Sequence, residues 1–161
     1  MALVPQMVDA VKVPVIAAGG IGDARGMVAA LALGAAAVQL GTAYLLSPES
    51  KISALHRAAL KQARDDSTVL TNVFTGRPAR GIVNRVVGEV GPLSSDTPQF
   101  PLAANAIGPL RAKAEAAGST DFTPLWSGQA PTLVREAPTA EITKSLAASA
   151  SALLQNLSQR R

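Results

Sequence analysis

Val13-Pro14-Val15-Ile16-Ala17-Ala18-Gly19-Gly20-Ile21-Gly22-Asp23, followed by Ala36-Ala37-Val38-Gln39-Leu40-Gly41-Thr42, decides how this chain is read. The apolar run 13–18 has the length and continuity of a strand buried on both faces of a sheet, with Pro14 at its start, where a missing N–H is tolerated. The glycines stop that strand. Asp23 is placed to cap a helix in which Met27, Ala30, Leu31 and Gly34 share one face, and Gly34 closes it. Residues 36–40 form a second short apolar strand. The stretch 13–42 is therefore one βαβ unit, and its strands are expected to run parallel.

On the N-terminal side, Pro5 suits a first helical turn, and Val4, Met7, Val8 and Val11 fall at helical spacing. A short helix feeds the strand directly, so the chain reads as beginning in mid-fold. On the C-terminal side, Ser47-Pro48-Glu49 has the make-up of a helix start, and Ile52, Leu55, Ala59 and Ala63 predict an amphipathic helix to about Arg64. Thr68 to Val90 leans towards β structure but is interrupted by Thr75-Gly76-Arg77-Pro78, which leaves strand or loop open.

Pro92 to Pro109, rich in proline and small residues, is expected to wrap the surface. Leu110 to Ala117 reads as a helix ended by Gly118, and Phe122 to Gln129 as a loop carrying the single tryptophan. Pro138 and Thr139 precede a last helix lined by Ile142, Leu146, Ala150, Leu153 and Leu157. The expected organisation is a βαβ unit with its loops at 1–50, an insert or cap of helix and irregular chain at 51–137, and a C-terminal helix at 138–161.

At 161 residues, 48% of them hydrophobic, the chain has material for one ordinary core. A complete (β/α)8 barrel takes roughly 250 residues. With no cysteine, disulfides, thiolate metal sites and thiol nucleophiles are excluded, and the composition is compatible with a reducing cytoplasm. Fifteen basic residues face eleven acidic ones, the arginines are scattered from Arg25 to Arg161, and the five aromatic side chains stand singly. That pattern argues against a nucleic-acid groove or a stacking platform. The alanine-rich runs are broken before about 18 residues and no basic leader precedes an apolar stretch, so neither a membrane span nor a signal peptide is expected. Asp65-Asp66 has no histidines at ligand spacing, so no metal site is expected.

The chemistry lies in the two glycine-bearing loops. A phosphate needs several main-chain N–H groups converging on it without Cβ atoms in the way, and a Gly-Gly turn between a strand and a helix supplies them. An isolated Gly-Gly is equally a tight turn requiring positive φ. The second loop shifts the balance: Gly41-Thr42 ends the next parallel strand on the same sheet edge, completing a cradle of the kind found after the last two strands of many barrels.

Taken together, Val13–Ile21, then Ala29-Ala30-Leu31-Ala32-Leu33-Gly34-Ala35, then Val38-Gln39-Leu40-Gly41-Thr42 resemble the FMN-phosphate region of the nitronate monooxygenase (2-nitropropane dioxygenase) family. Thr75-Gly76-Arg77-Pro78-Ala79-Arg80 and Leu125-Trp126-Ser127-Gly128-Gln129 also resemble recurring segments of that family, and the similarity runs to about Leu146. The resemblance implies an α/β fold, the C-terminal part of an FMN-binding (β/α)8 TIM barrel, with FMN contacts at Ala18, Gly19, Gly20, Gln39, Leu40, Gly41 and Thr42. It also implies a monooxygenase that oxidises alkyl nitronates with molecular oxygen to a carbonyl compound and nitrite.

The family's catalytic histidine lies upstream of the matching segments, so no catalytic residue is assigned here. His56 does not match that position and is expected to be solvated or partly packed. Trp126 reads as a hydrophobic plug, and Arg77 and Arg80 as solvated turn residues. Two barrel strands alone cannot enclose a flavin. The alternative is a noncatalytic remnant that binds at most FMN or phosphate, self-associates or pairs with a complementary N-terminal chain.

Overall fold

The computed structural model describes residues 1–159. In chain order its helices and strands are α1 (Leu3–Ala10), β1 (Ile16–Ala18), α2 (Ala24–Ala32), β2 (Ala37–Gln39), α3 (Ala54–Gln62), β3 (Thr68–Thr71), β4 (Ala79–Ile82), α4 (Arg85–Val90), α5 (Leu102–Ala116) and α6 (Thr139–Ser158). They form two compact units, residues 1–50 with 133–161, and residues 51–132.

In the first unit, β1 and β2 pair in parallel with Ile16 opposite Ala37, Ala17 opposite Val38 and Ala18 opposite Gln39, joined through α2 as the βαβ reading requires. Ala17, Ile21, Ala30 and Ala35 form the core between sheet and helix. The three small alanine side chains let α2 lie close to the strands. α6 packs on α2, where Ala24, Val28 and Ala150 make a second cluster. Thr139 at the start of α6 donates its N–H to both carboxylate oxygens of Glu49 at 3.2 Å. No helix among the described residues is long and apolar enough to cross a membrane.

The strands are shorter than the apolar runs. Pairing begins only where Ala36 N–H donates to the Val15 carbonyl at 2.8 Å, and Val13 is left exposed. The expectation of burial on both faces also needs correction: in β1 only Ala17 is buried, while Ile16 is 60% exposed. α2 covers one face, and no element among the described residues of this unit covers the face that Ile16 occupies.

In the second unit β3 and β4 form an antiparallel hairpin, Thr68 opposite Ile82 and Thr71 opposite Ala79. Gly76 turns it at φ 84°, and a Cβ there would lie 2.4 Å from the Phe100 nitrogen. The turn is thus clamped by the 98–100 segment and tolerates glycine alone. Val73, Phe74, Val86 and Val87 build the core, with Trp126 partly buried against it, its ring edge-on to Phe74 at 5.6 Å.

Three sequence expectations fail in this unit or at its border. The helix expected from Ser47 begins after Ser53, because the Ser47 hydroxyl bonds back to the Tyr44 carbonyl at 2.8 Å while Ser53 Oγ accepts from His56 N–H at 3.1 Å. Residues 85–90 form α4, capped by Asn84, which accepts from Val87 N–H. The stretch expected to wrap the surface up to Pro109 contains the first half of α5, with Pro109 inside the helix. Proline removes one helical bond there, and the many flanking alanines, the best helix formers, carry the helix across it.

Candidate functional site

The parallel register sets the geometry of the predicted site. Ala18 and Gln39 are opposite each other at the carboxyl ends of β1 and β2, so Gly19-Gly20 and Gly41-Thr42 leave the sheet from one edge. The structure brings together all seven predicted residues on these two strand ends and loops. Ala18, Gly19, Gly20, Gln39 and Gly41 are exposed, and Leu40 and Thr42 half-buried.

Gly19 and Gly20 have φ of 97° and 70°, a conformation that L side chains rarely adopt. A Cβ built on Gly19, Gly20 or Gly41 would meet nothing within 4 Å. The space in front of all three glycines is open, as a cradle for a phosphoryl group requires. Thr42 opens a 3-10 turn, Thr42–Tyr44, whose Tyr44 N–H returns to the Gly41 carbonyl at 3.0 Å and holds the second loop in shape.

The first loop is anchored from behind. Ile21 is buried, and a Cβ on Gly26 would approach its Cγ2 to 3.3 Å, so Gly26 lets the first turn of α2 close over Ile21. Asp23 caps α2, accepting from Arg25 N–H at 2.9 Å and Gly26 N–H at 3.4 Å. Arg25 Nε donates to the other carboxylate oxygen at 2.7 Å. That side-chain bond, followed by the main-chain N–H bonds, holds the Asp23 carboxyl below its ordinary pKa despite partial burial. Since Asp23 occupies these two amides, an anion at this edge draws on the glycine loops rather than on the bare helix end.

The anchoring pair Ile21 and Gly26 was not singled out from sequence. Its signal was the apolar residue directly after Gly-Gly, with a glycine five positions on in the first helical turn.

The other residues considered from sequence are tied up elsewhere. His56 is buried on α3, 8% exposed, with Nε2 3.0 Å from the Trp126 carbonyl, so of the two expectations packing holds and solvation does not. Burial depresses its pKa, against a smaller opposing effect of the Trp126 carbonyl. Arg80 Nη1 donates to the Thr68 carbonyl at 2.9 Å and the Thr68 hydroxyl at 3.2 Å, cross-linking β4 to β3. Arg77 stacks over the Phe100 ring at 4.3 Å. Asp65 accepts from the Thr132 hydroxyl at 2.6 Å.

A family model described as nitronate monooxygenase matches residues 1–149. Over 135 residues the chain is 47% identical to a "Probable nitronate monooxygenase" of Staphylococcus saprophyticus, spanning 84% of this chain and 38% of that protein. A protein of the same description from Staphylococcus aureus (strain JH9) is 44% identical over 138 residues, 86% of this chain and 39% of its own length. Among solved structures, nitroalkane oxidase from Streptomyces ansochromogenes is similar at a TM-score of 0.88 and 39% identity, over 97% of this chain and 44% of that one. FabK from Thermotoga maritima is similar at 0.78 and 31% identity, over 96% and 50%. The chain thus spans less than half the length of the curated relatives it matches.

Proposed function

The chain belongs to the nitronate monooxygenase family, an oxidoreductase family whose model it matches along residues 1–149, and from that premise we propose that it supplies the flavin-phosphate end of an FMN-dependent (β/α)8 barrel acting on alkyl nitronates. In this reading residues 1–50 are the last βαβ unit of the barrel, 51–137 an insert or cap, and 138–161 a C-terminal helix. The observation that supports it best is the register placing Ala18 beside Gln39, with a glycine loop leaving each strand on the same edge. The open space before Gly19, Gly20 and Gly41 fits a phosphoryl group.

In the proposed site the main-chain N–H groups of Gly19, Gly20 and Gly41 and the Thr42 hydroxyl hold the phosphate, while Ala18, Gln39 and Leu40 contact FMN from the strand ends. Bound there, FMN would supply electron transfer from the nitronate, with molecular oxygen as co-substrate and a carbonyl compound and nitrite as products. Because the chain spans 38% of its Staphylococcus saprophyticus relative, that activity is proposed for a polypeptide carrying the full set of strands. Ile16 at 60% exposure favours a second reading for the chain by itself: a partner-completing piece that binds FMN or phosphate without turnover.

The test is an absorbance titration with FMN. Yellow colour should co-elute with the purified chain, and Gly20→Val, which forces a branched side chain into a positive-φ position facing the cradle, should weaken FMN binding about tenfold or more. Unchanged affinity in Gly20→Val removes the placement of the site. A chain that stays colourless after FMN addition removes the flavin reading for this chain, and nitrite release from an alkyl nitronate separates turnover from binding.

A further inference from the structure

The first unit contains a cavity of about 350 Å³ between the start of α2, the turn after β2 and one stripe of α6. Packed cores keep few voids larger than a water molecule, whereas small-molecule sites begin near about 300 Å³. The volume exists because Ala24, Ala43, Ser145 and Ser149 put short side chains where a leucine would fill it. Ile142, Leu146 and Leu153, on one stripe of α6, give it an apolar wall.

The mouth is polar and carries two guanidinium groups. Arg25 and Arg135 line the cavity, and each has a carboxylate partner: Glu141, at 3.8 Å, for Arg135, and Asp23 for Arg25. The Asp23 carboxylate is engaged by Arg25 and by the cap of α2, so it adds little repulsion for an incoming anion. Arg135 is steadied at the opening: its Nη1 donates to Ser145 Oγ at 3.0 Å, and its Nη2 lies 3.8 Å from Glu141. A guanidinium has five N–H donors in a fixed fork. The Ser145 bond engages one, which leaves donors for a second oxygen acid.

We propose that this cavity binds a small amphiphilic anion, a medium-chain alkyl carboxylate, with its chain on Ile142, Leu146 and Leu153 and its carboxylate on Arg135. Apolar walls ending in a guanidinium match a ligand that is greasy at one end and singly negative at the other. None of the residues assigned to the phosphate cradle takes part, so this site stands or falls independently of the flavin reading.

The test titrates octanoate into the intact chain without FMN, by calorimetry and by NMR of isoleucine and leucine methyl groups. Saturable binding with a Kd of about 1 mM or tighter is expected, with shifts at Ile142, Leu146 and Leu153. Octylammonium, with the same tail and the opposite head, should bind at least about tenfold more weakly. Arg135→Gln, an exposed substitution that leaves the fold intact, should weaken octanoate about tenfold. Ser149→Leu should abolish binding by filling the cavity. Absence of saturable binding, equal affinity for the two head groups, or shifts confined to other residues overturns the proposal. Should Ser149→Leu not fold, Arg135→Gln and the head-group comparison decide alone.

Discussion

His56 shows how a single side chain's role is set by its surroundings. Its Nε2 faces the Trp126 carbonyl, which can only accept, so the ring is held with a proton on Nε2 and joins α3 to the segment after Leu125. Burial disfavours the charged ring, and its folded pKa lies below the ordinary value of 6.5. With a depressed folded pKa the unfolded chain takes up the proton first, so stability holds above about 6.5 and declines as pH falls below it. Urea unfolding at pH 7.5 and 5.5 should show this loss, and His56→Gln, which keeps a donor but does not titrate, should reduce the difference. An identical pH difference in both proteins excludes His56 as its source. In sequence His56 was one polar residue on an amphipathic stretch. Its burial depends on a carbonyl 70 positions away, which no local pattern encodes.

Among elements, α2 was legible throughout and α5 only from Leu110 onward, for a physical reason in each case. Every signal around α2 is local: a glycine stop, Asp23 at the cap, a hydrophobic face and a closing glycine, and the observed helix, Ala24–Ala32, follows them. Asp23→Ala should cost about 1 kcal/mol of stability through the lost cap, whereas Asp23→Asn should retain most of it. Thermal melts of the two variants distinguish a cap from a merely polar surface residue: equal destabilisation would count against capping. In the part of α5 up to Pro109 the local signal was misleading, because Pro109 is a helix breaker by propensity and its neighbourhood is rich in small residues. Ala103 is 1% exposed, so tertiary burial adds to the helix propensity of the alanines on either side of Pro109. The two strands were placed correctly in kind but too long, since apolar runs mark what can be buried and only partners decide which residues pair.

At the scale of the whole chain, residues 51–132 contain their own core around Phe74 and Val87 and their own hairpin. A polypeptide of residues 51–132 should therefore unfold cooperatively, and it should keep the near-ultraviolet circular dichroism of Trp126, the only tryptophan, which is packed edge-on against Phe74. A featureless spectrum would show that this unit depends on the rest of the chain. The amino-acid sequence by itself determined the βαβ unit, the parallel sense of its strands and the position of the two glycine loops, because each rests on short-range rules: strand runs, caps and glycine stops; the kinship with the nitronate monooxygenases came instead from the resemblance of whole segments, which the family model bears out. Only the tertiary structure decided which face of β1 is covered, that His56 and Arg80 are bound within the fold, and that α6 returns to α2 and leaves a cavity beside it. Those outcomes depend on contacts between residues far apart in the chain, where burial and hydrogen bonding are settled by partners that periodicity cannot name.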